Sequence, residues 1–337
     1  MALKGKSILL IAVSMALVAA ASYLLIGREG SPPKTESVVV AYSPFESGTL
    51  FYVACDTGLF ARHGIRVDPR RYDTGAGSLE GMVNGQADIT VGVTEFPMVR
   101  QALRKARIRV VGSIDKAAYI YLIGRKDRGI ERVADLAGKR VGTTQGTVAE
   151  FHLGRFLEIN GLSMSDIRAV NLTAPEEWVG AVRRGDVDAI CTAQPYAHEL
   201  QKALGANGVA WPAQGSQPLH GLIAAKEDWI VGNPDLLRRF LQSLAEAEDY
   251  AMRHPAETRA ILQRWLGLDA AYLDTAWSQN QFALSLDQSL IVAMEDEARW
   301  MIRNKLTAEE RVPNFLNYIH ADALKAIRPA AVAIMGR

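Results

Sequence analysis

The chain has 337 residues, 49% of them hydrophobic, with 38 basic residues against 37 acidic ones and a formal net charge of +1. A balance so close, spread along the chain, excludes the one-sided basic surface of a nucleic-acid binder, and the length allows one large core or two smaller ones. Two cysteines, Cys55 and Cys191, exclude a disulfide scaffold; each is expected as a buried free thiol, a pairing or a catalytic role being the alternatives.

Residues 8–26 are a run of 19 without a charge, preceded by Lys4 and Lys6 and ended by Arg28, Glu29, Pro32 and Pro33. A cleaved export signal has a shorter apolar stretch and a small-x-small site, which Ala19 and Ala21 offer. Tyr23, Leu24, Leu25 and Ile26 extend the run to nearly the length of a membrane-spanning helix, which favours an uncleaved anchor. An ordinary buried helix is the third reading. Either of the first two places the rest of the chain outside the cytoplasm, with the amino-terminal lysines inside.

Beyond this segment an α/β order is met twice. Residues 37–42 (SVVVAY) read as a strand, 50–63 as a helix, Gly64 as a left-handed stop and 65–69 as a second strand. The order recurs with residues 139–142 as strand, 147–160 as helix, Gly161 as stop and 167–172 as strand. Residues 79–96 (LEGMVNGQADITVGVTEF) are echoed by 179–196 (VGAVRRGDVDAICTAQPY), Gly85 and Asp88 falling on Gly185 and Asp188. Each copy reads as a helix end, a G-x-x-D corner and a short apolar strand. A further strand is expected over 109–111 and an apolar crossing over 119–124.

Residues 221–225 are a short apolar strand, well placed to return to the first unit. Helices follow over 233–254, 255–266, 269–279, 289–306 and 318–327, with Pro234 and Pro255 at first-turn positions where a missing N–H costs nothing. The expected organisation is a signal or anchor with linker over 1–34, a first part of lobe 1 over 35–118, lobe 2 with the hinge crossings over 119–218, and a return to lobe 1 with the C-terminal helices over 219–337. Two crossings between lobes make a hinge around a cleft.

Ligands of open α/β sheets gather beyond the carboxyl ends of the strands. There the chain supplies Ser43, Pro44, Phe45 and Thr49; then Gly77 and Ser78; then Thr144, Gln145, Gly146 and Thr147. Such turns present N–H groups and hydroxyls at helix starts, suited to an anionic group, although helix capping alone explains each one singly. Thr94 and Glu95, with Gln194 and Tyr196 at the matching place in the echo, are further candidates, as is Glu176 in a first helical turn. Phe45, Tyr52, Phe151 and Trp178 are candidate aromatic walls. No phosphate loop, G-x-G-x-x-G, H-E-x-x-H, C-x-x-C or G-x-S-x-G occurs, and the six histidines are scattered, so neither metal nor cofactor is expected.

The stretches VVVAYSPFESGTLFYVACDTGLFARHGI, GSLEGMVNGQADITVG, LIGRKDRGIERVADLAGKRVGTTQGTVAEFHLGRFL, AVRRGDVDAI and NPDLLRRFLQSLAEAEDYAMRHPAE resemble the nitrate/sulfonate/taurine substrate-binding proteins of ABC transporters, a group that includes binders of thiamine precursors. The resemblance covers residues 38–328. It implies a periplasmic-binding-protein-like type II fold, two α/β lobes around a hinged cleft, with no catalytic residue. It also implies delivery of a small anionic or zwitterionic solute, such as a sulfonate, taurine or nitrate, to a permease in the cytoplasmic membrane. By position its ligand-contacting turns match Ser43 to Phe45, Gly77 and Ser78, Thr94 and Glu95, and Thr144 to Thr147. Glu95 would repel an anion unless it receives an amine of a zwitterion. A pyrimidine-precursor synthase-like enzyme on the same fold and a membrane-anchored sensing domain are the competing readings.

Overall fold

A computed structural model describes residues 35–335 apart from Ser216; the side chains of Glu176 and Thr275 are not described, and the apolar run over residues 8–26 lies outside the described residues. The chain from Ser37 onward packs as one compact unit. It begins with β1 (Glu36–Tyr42), a 3-10 turn over Glu46–Gly48, α1 (Thr49–Asp56) and α2 (Leu59–Arg62), followed by β2 (Ile65–Arg71), α3 (Gly75–Val83), β3 (Ile89–Val93), α4 (Glu95–Leu103) and β4 (Ile108–Ala117). The single helix expected over 50–63 is two, because Gly58 takes a left-handed φ of 71° between them. Leu59 and Phe60 resume the apolar pattern directly after the polar Asp56 and Thr57, which hides the corner.

A second α/β layer follows: β5 (Ile120–Arg125), β6 (Arg140–Thr143), α5 (Val148–Ile159), β7 (Arg168–Asn171), α6 (Pro175–Arg184), β8 (Ala189–Ala193), α7 (Tyr196–Leu204) and β9 (Gly208–Pro212). The chain then runs through β10 (Leu219–Lys226), α8 (Glu227–Gly232), α9 (Pro234–Arg253), α10 (Pro255–Leu266), α11 (Ala270–Ala276), β11 (Asn280–Gln281), β12 (Leu286–Asp287), α12 (Gln288–Arg303), α13 (Asp322–Ile327) and β13 (Val332–Ala333).

Of the two large sheets, the first has the order β11-β4-β10-β3-β1-β2 and the second β7-β6-β8-β5-β9, while β12 and β13 pair in a small sheet of their own. In the first, β1 and β3 are parallel, and β10 enters antiparallel between β3 and β4. In the second, β6 is parallel to β7 and β8, while β5 runs antiparallel to β8 and β9. The later segment therefore supplies a central strand to the sheet begun by the earliest one. The chain passes between sheets after β4 and again before β10, and one side chain stitches the two passages. Gln214 Oε1 accepts the Tyr119 N–H at 3.0 Å, and its Nε2 donates to the carbonyls of Ala117 at 2.7 Å and Gln217 at 2.8 Å.

The G-x-x-D echo has a physical meaning in both lobes. Gly85 and Gly185 take φ of 80° and 78°, the left-handed exit from a helix that glycine adopts without steric cost. Asp88 Oδ2 then accepts the Val39 N–H at 2.8 Å, and Asp188 Oδ2 accepts the Arg140 N–H at 2.9 Å. Each aspartate thus pins the start of the neighbouring parallel strand. Asp188 also pairs with the Arg140 guanidinium at 2.6 Å, which holds its carboxyl below the usual range.

The lobes are joined on one flank by aromatic packing. The Trp300 ring on α12 lies 6.0 Å from Phe96 of α4 and 5.6 Å from Phe151 of α5. Its Nε1 donates to Glu158 at 3.2 Å. Gly154 makes this approach possible, since a Cβ there would stand 2.2 Å from the Trp300 ring.

Candidate ligand-binding site

A cavity of about 70 Å³ lies between the lobes. The first lobe contributes Ser43, Phe45 and Ser47 from the turn after β1, Thr74, Gly75 and Ala76 at the start of α3, and Gly92, Thr94 and Pro97 around the end of β3. The second contributes Thr144, Thr147, Val148 and Ala149 at the start of α5, Trp178 of α6, and Cys191, Thr192 and Ala193 of β8; Tyr119 and Ile120 complete it from the crossing. The walls are apolar surfaces with hydroxyls set among them, and no lining side chain carries a charge.

Three helices, α3, α4 and α5, start on this cavity, and first-turn N–H groups have no acceptor within their own helix. At α3 the Thr74 hydroxyl accepts the Gly77 N–H at 3.1 Å, while the backbone of Gly75 and Ala76 faces the cavity. At α5 the Thr147 hydroxyl donates to the Thr144 carbonyl at 2.7 Å, and the Thr144 hydroxyl donates to the Leu172 carbonyl at 2.7 Å. These hydroxyls shape their turn rather than wait for a partner. The Ser43 and Thr192 hydroxyls are different: both are buried, and neither has a hydrogen-bond partner.

Of the residues singled out from sequence, the cavity gathers Ser43, Phe45, Thr94, Thr144 and Thr147. Others serve the walls from behind. The Thr49 hydroxyl donates to the Glu46 carbonyl at 2.6 Å, and the Ser78 hydroxyl donates to the Gly75 carbonyl at 2.9 Å. Gly77 is occupied by the Thr74 cap, and Pro44 shapes the turn between Ser43 and Phe45 without lining the cavity. Gln194 Oε1 accepts the His198 N–H at 3.0 Å, and the Tyr196 ring packs 4.9 Å from Trp178 and 6.2 Å from Phe45. Tyr196 therefore stands behind Trp178 and Phe45 and closes the rim across the two lobes.

Gln145 and Gly146 face the other side of their turn. Together with Arg100 and Glu150 they line a separate hollow of about 160 Å³, where the Gly146 N–H donates to Glu150 at 2.8 Å. The Glu176 side chain lies outside the described residues.

Glu95 requires a correction to the idea that it receives an amine from a ligand. Its Oε1 accepts the His220 N–H at 2.9 Å and pairs with His220 Nδ1, all within the first lobe's interior. His220 Nε2 in turn meets Ser289 at 3.0 Å. Through Oε1 the carboxylate is committed to that chain of contacts, while its buried Oε2 has no partner, and Glu95 lines no part of the cavity. Behind the cavity floor, Glu46 hydrogen-bonds Tyr272, and burial raises its pKa. Burial, reinforced by Glu46, also pushes Asp115 well above the usual carboxyl range.

Sequence reasoning passed over Cys191, Thr192 and Ala193, because an apolar strand reads as core and periodicity does not distinguish a core face from a cavity wall. Thr74, Gly75 and Ala76, which line the cavity, directly precede Gly77 and Ser78, the part of that turn the sequence singles out. Trp178 was visible as a candidate wall.

Residues 47–258 match the family described as NMT1/THI5 like. The chain belongs to that family. A putative binding protein of Brucella abortus is 24% identical over 232 residues, covering 66% of this chain and 69% of the relative. Among solved structures, the alkanesulfonate-binding protein SsuA from Xanthomonas axonopodis pv. citri, bound to MOPS, is 18% identical with a TM-score of 0.73 and covers 90% of this chain and 100% of its own. The periplasmic aliphatic sulphonate binding protein SsuA of Escherichia coli is 19% identical at a TM-score of 0.69, covering 86% and 98%. The desulfurization enzyme DSZB is 18% identical at 0.65, covering 88% and 99%. The fold is that of the type II periplasmic binding proteins, two α/β lobes around a cleft.

Proposed function

We propose that this protein is the extracytoplasmic solute-binding component of an ABC importer, taking a small anionic or zwitterionic solute of the sulfonate, taurine or nitrate kind into the cavity between its lobes. The carrying observation is a cavity built from both lobes, with the starts of α3 and α5 facing it and hydroxyls set among apolar walls. Helix starts and hydroxyls stabilise an oxyanion without a basic side chain. Arg100 adds a positive charge on the far face of the turn that carries Thr144 and Thr147; a Cβ on Gly146 would lie 1.9 Å from its guanidinium. Ligand that touches both lobes binds the closed form more tightly than the open one and so shifts the population towards the form a permease recognises.

Binding is favoured over catalysis by the state of the lining nucleophile. The Cys191 thiol is buried, and burial raises its pKa, so it stays protonated. The likeness of two SsuA proteins and of the Brucella binding protein supports the same reading. A thermal-shift panel of taurine, alkanesulfonates, nitrate, bicarbonate and thiamine precursors should give saturable stabilisation by at least one compound with no product. Product formation would assign an enzyme instead. Export through residues 8–26 belongs to this proposal: a mature chain starting near Tyr23 would establish cleavage, and one retaining Lys4 and Lys6 would establish an anchor.

A further inference from the structure

Two buried cavity hydroxyls without partners are placed one on each lobe, the half-buried Thr94 hydroxyl at the rim being unpaired as well. Ser43 follows β1 and is 3% exposed; Thr192 lies within β8 and is 2% exposed. Other hydroxyls nearby are already used: Ser47 donates to the Gly92 carbonyl at 2.8 Å, Thr144 to Leu172 and Thr147 to Thr144. Leaving a buried hydroxyl unpaired is costly, so a cavity that keeps two of them has a use for them. Each is able to donate to an oxygen of a bound molecule. A molecule meeting both receives one hydrogen bond from each lobe.

The remaining wall sets what else that molecule must be. Phe45, Ile120, Val148, Trp178 and Cys191 present carbon and sulfur, and no lining side chain is charged. A small inorganic oxyanion is polar on every side, and those of its oxygens turned away from the helix starts and hydroxyls would lose their water against these surfaces. A molecule with one oxygen-rich end and an apolar body fills the same space at no such cost. The buried carboxyl groups of Glu46 and Asp115 behind the floor add no cation to hold a second negative charge.

We infer that Ser43 and Thr192 together grip the oxygen-bearing end of an organic solute of at most one negative charge, whose apolar body lies against Phe45, Ile120 and Trp178, and that the cavity rejects bare inorganic oxyanions. This narrows the solute-capture reading and rests on it. Thr192 becomes a specificity residue that reports closure, because its hydroxyl and that of Ser43 are satisfied together only when the lobes meet on one ligand.

The test uses the full-length protein with hexanesulfonate, benzenesulfonate, nitrate and sulfate as probes, and compares wild type with Ser43→Ala and Thr192→Val. Without ligand, both variants should melt at or above the wild-type temperature, since each replaces an unpaired buried hydroxyl by carbon. A lowered melting temperature in either variant would mean that its hydroxyl has a structural partner and would overturn the assignment whatever the protein binds. With ligand, an organic sulfonate should bind wild type at least tenfold more tightly than nitrate or sulfate, and each variant should lose about 5- to 10-fold in affinity. Preference for nitrate or sulfate would overturn this inference while leaving solute capture intact. No binding by any of these probes would overturn this inference alone, since the wider solute panel still tests capture, whereas turnover of a probe would sink the capture reading and this inference with it.

Discussion

Hydroxyl groups of one chemical type do different work around the cavity, and hydrogen-bond partners separate them. Thr144 and Thr147 looked from sequence like ligand contacts, and both line the cavity, yet their hydroxyls are spent on backbone carbonyls. What they can offer a solute is the shape of a turn and the N–H groups behind it. Removing them perturbs the turn as well as the ligand, which makes Ser43 and Thr192 the cleaner probes.

Another residue-scale consequence concerns His152 on α5. Burial holds its pKa down at about 3 from the ordinary 6.5, and its Nε2 has no hydrogen-bond partner. A histidine whose folded pKa is depressed contributes stability that is complete above its unfolded pKa and is lost as pH falls through the window from 6.5 towards 3. Replacing it with glutamine should flatten the acid limb of a melting-temperature profile, removing up to about 1.4 kcal/mol of stability change per pH unit in that window. Parallel wild-type and His152→Gln profiles would contradict this.

Secondary-structure elements were legible wherever a stop signal coincides with the end of a periodic pattern. Gly64 and Gly161 end their helices with φ of 67° and 77°, and α10 spans Pro255–Leu266 as the pattern predicts. Gly58 follows the exposed Asp56 and the half-buried Thr57, a polar break that the buried Leu59 and Phe60 directly after it obscure by resuming the helical pattern. The two-residue strands β11, β12 and β13 are too short for any alternation to mark them. Strand β8 was seen as a strand but not as a cavity wall, since its sequence AICTA says only that both faces avoid water.

The repeated corner before β3 and β8 was seen as a pair, and its purpose appears in the hydrogen bonds of Asp88 and Asp188. Asp188→Ala would leave the Arg140 N–H without its acceptor and the guanidinium with the Gly185 carbonyl alone, and should cost roughly 1–2 kcal/mol. The urea midpoint should fall accordingly. A loss below about 0.5 kcal/mol would show that the corner holds without its carboxylate.

At the scale of the whole molecule, the lobes are joined unequally around the cavity. Trp300, Phe96 and Phe151 weld one flank, with Glu158 taking the indole N–H, whereas the opposite rim meets through Phe45 with Tyr196 and His198 with Tyr272. None of these cross-lobe pairs is readable from spacing, because each joins residues far apart in the chain. The balanced charge and the doubled α/β order pointed to the architecture, while the solute preference resides in contacts that only the folded chain assembles.

The central claim is capture of a solute between the lobes without chemistry. Its most direct test is isothermal titration calorimetry of the purified protein with hexanesulfonate, followed by recovery of the ligand and its analysis by mass spectrometry. Saturable binding at one site per chain and recovery of the sulfonate unchanged are expected. Conversion of the ligand, or absence of binding by hexanesulfonate and by the wider solute panel, would contradict capture without chemistry.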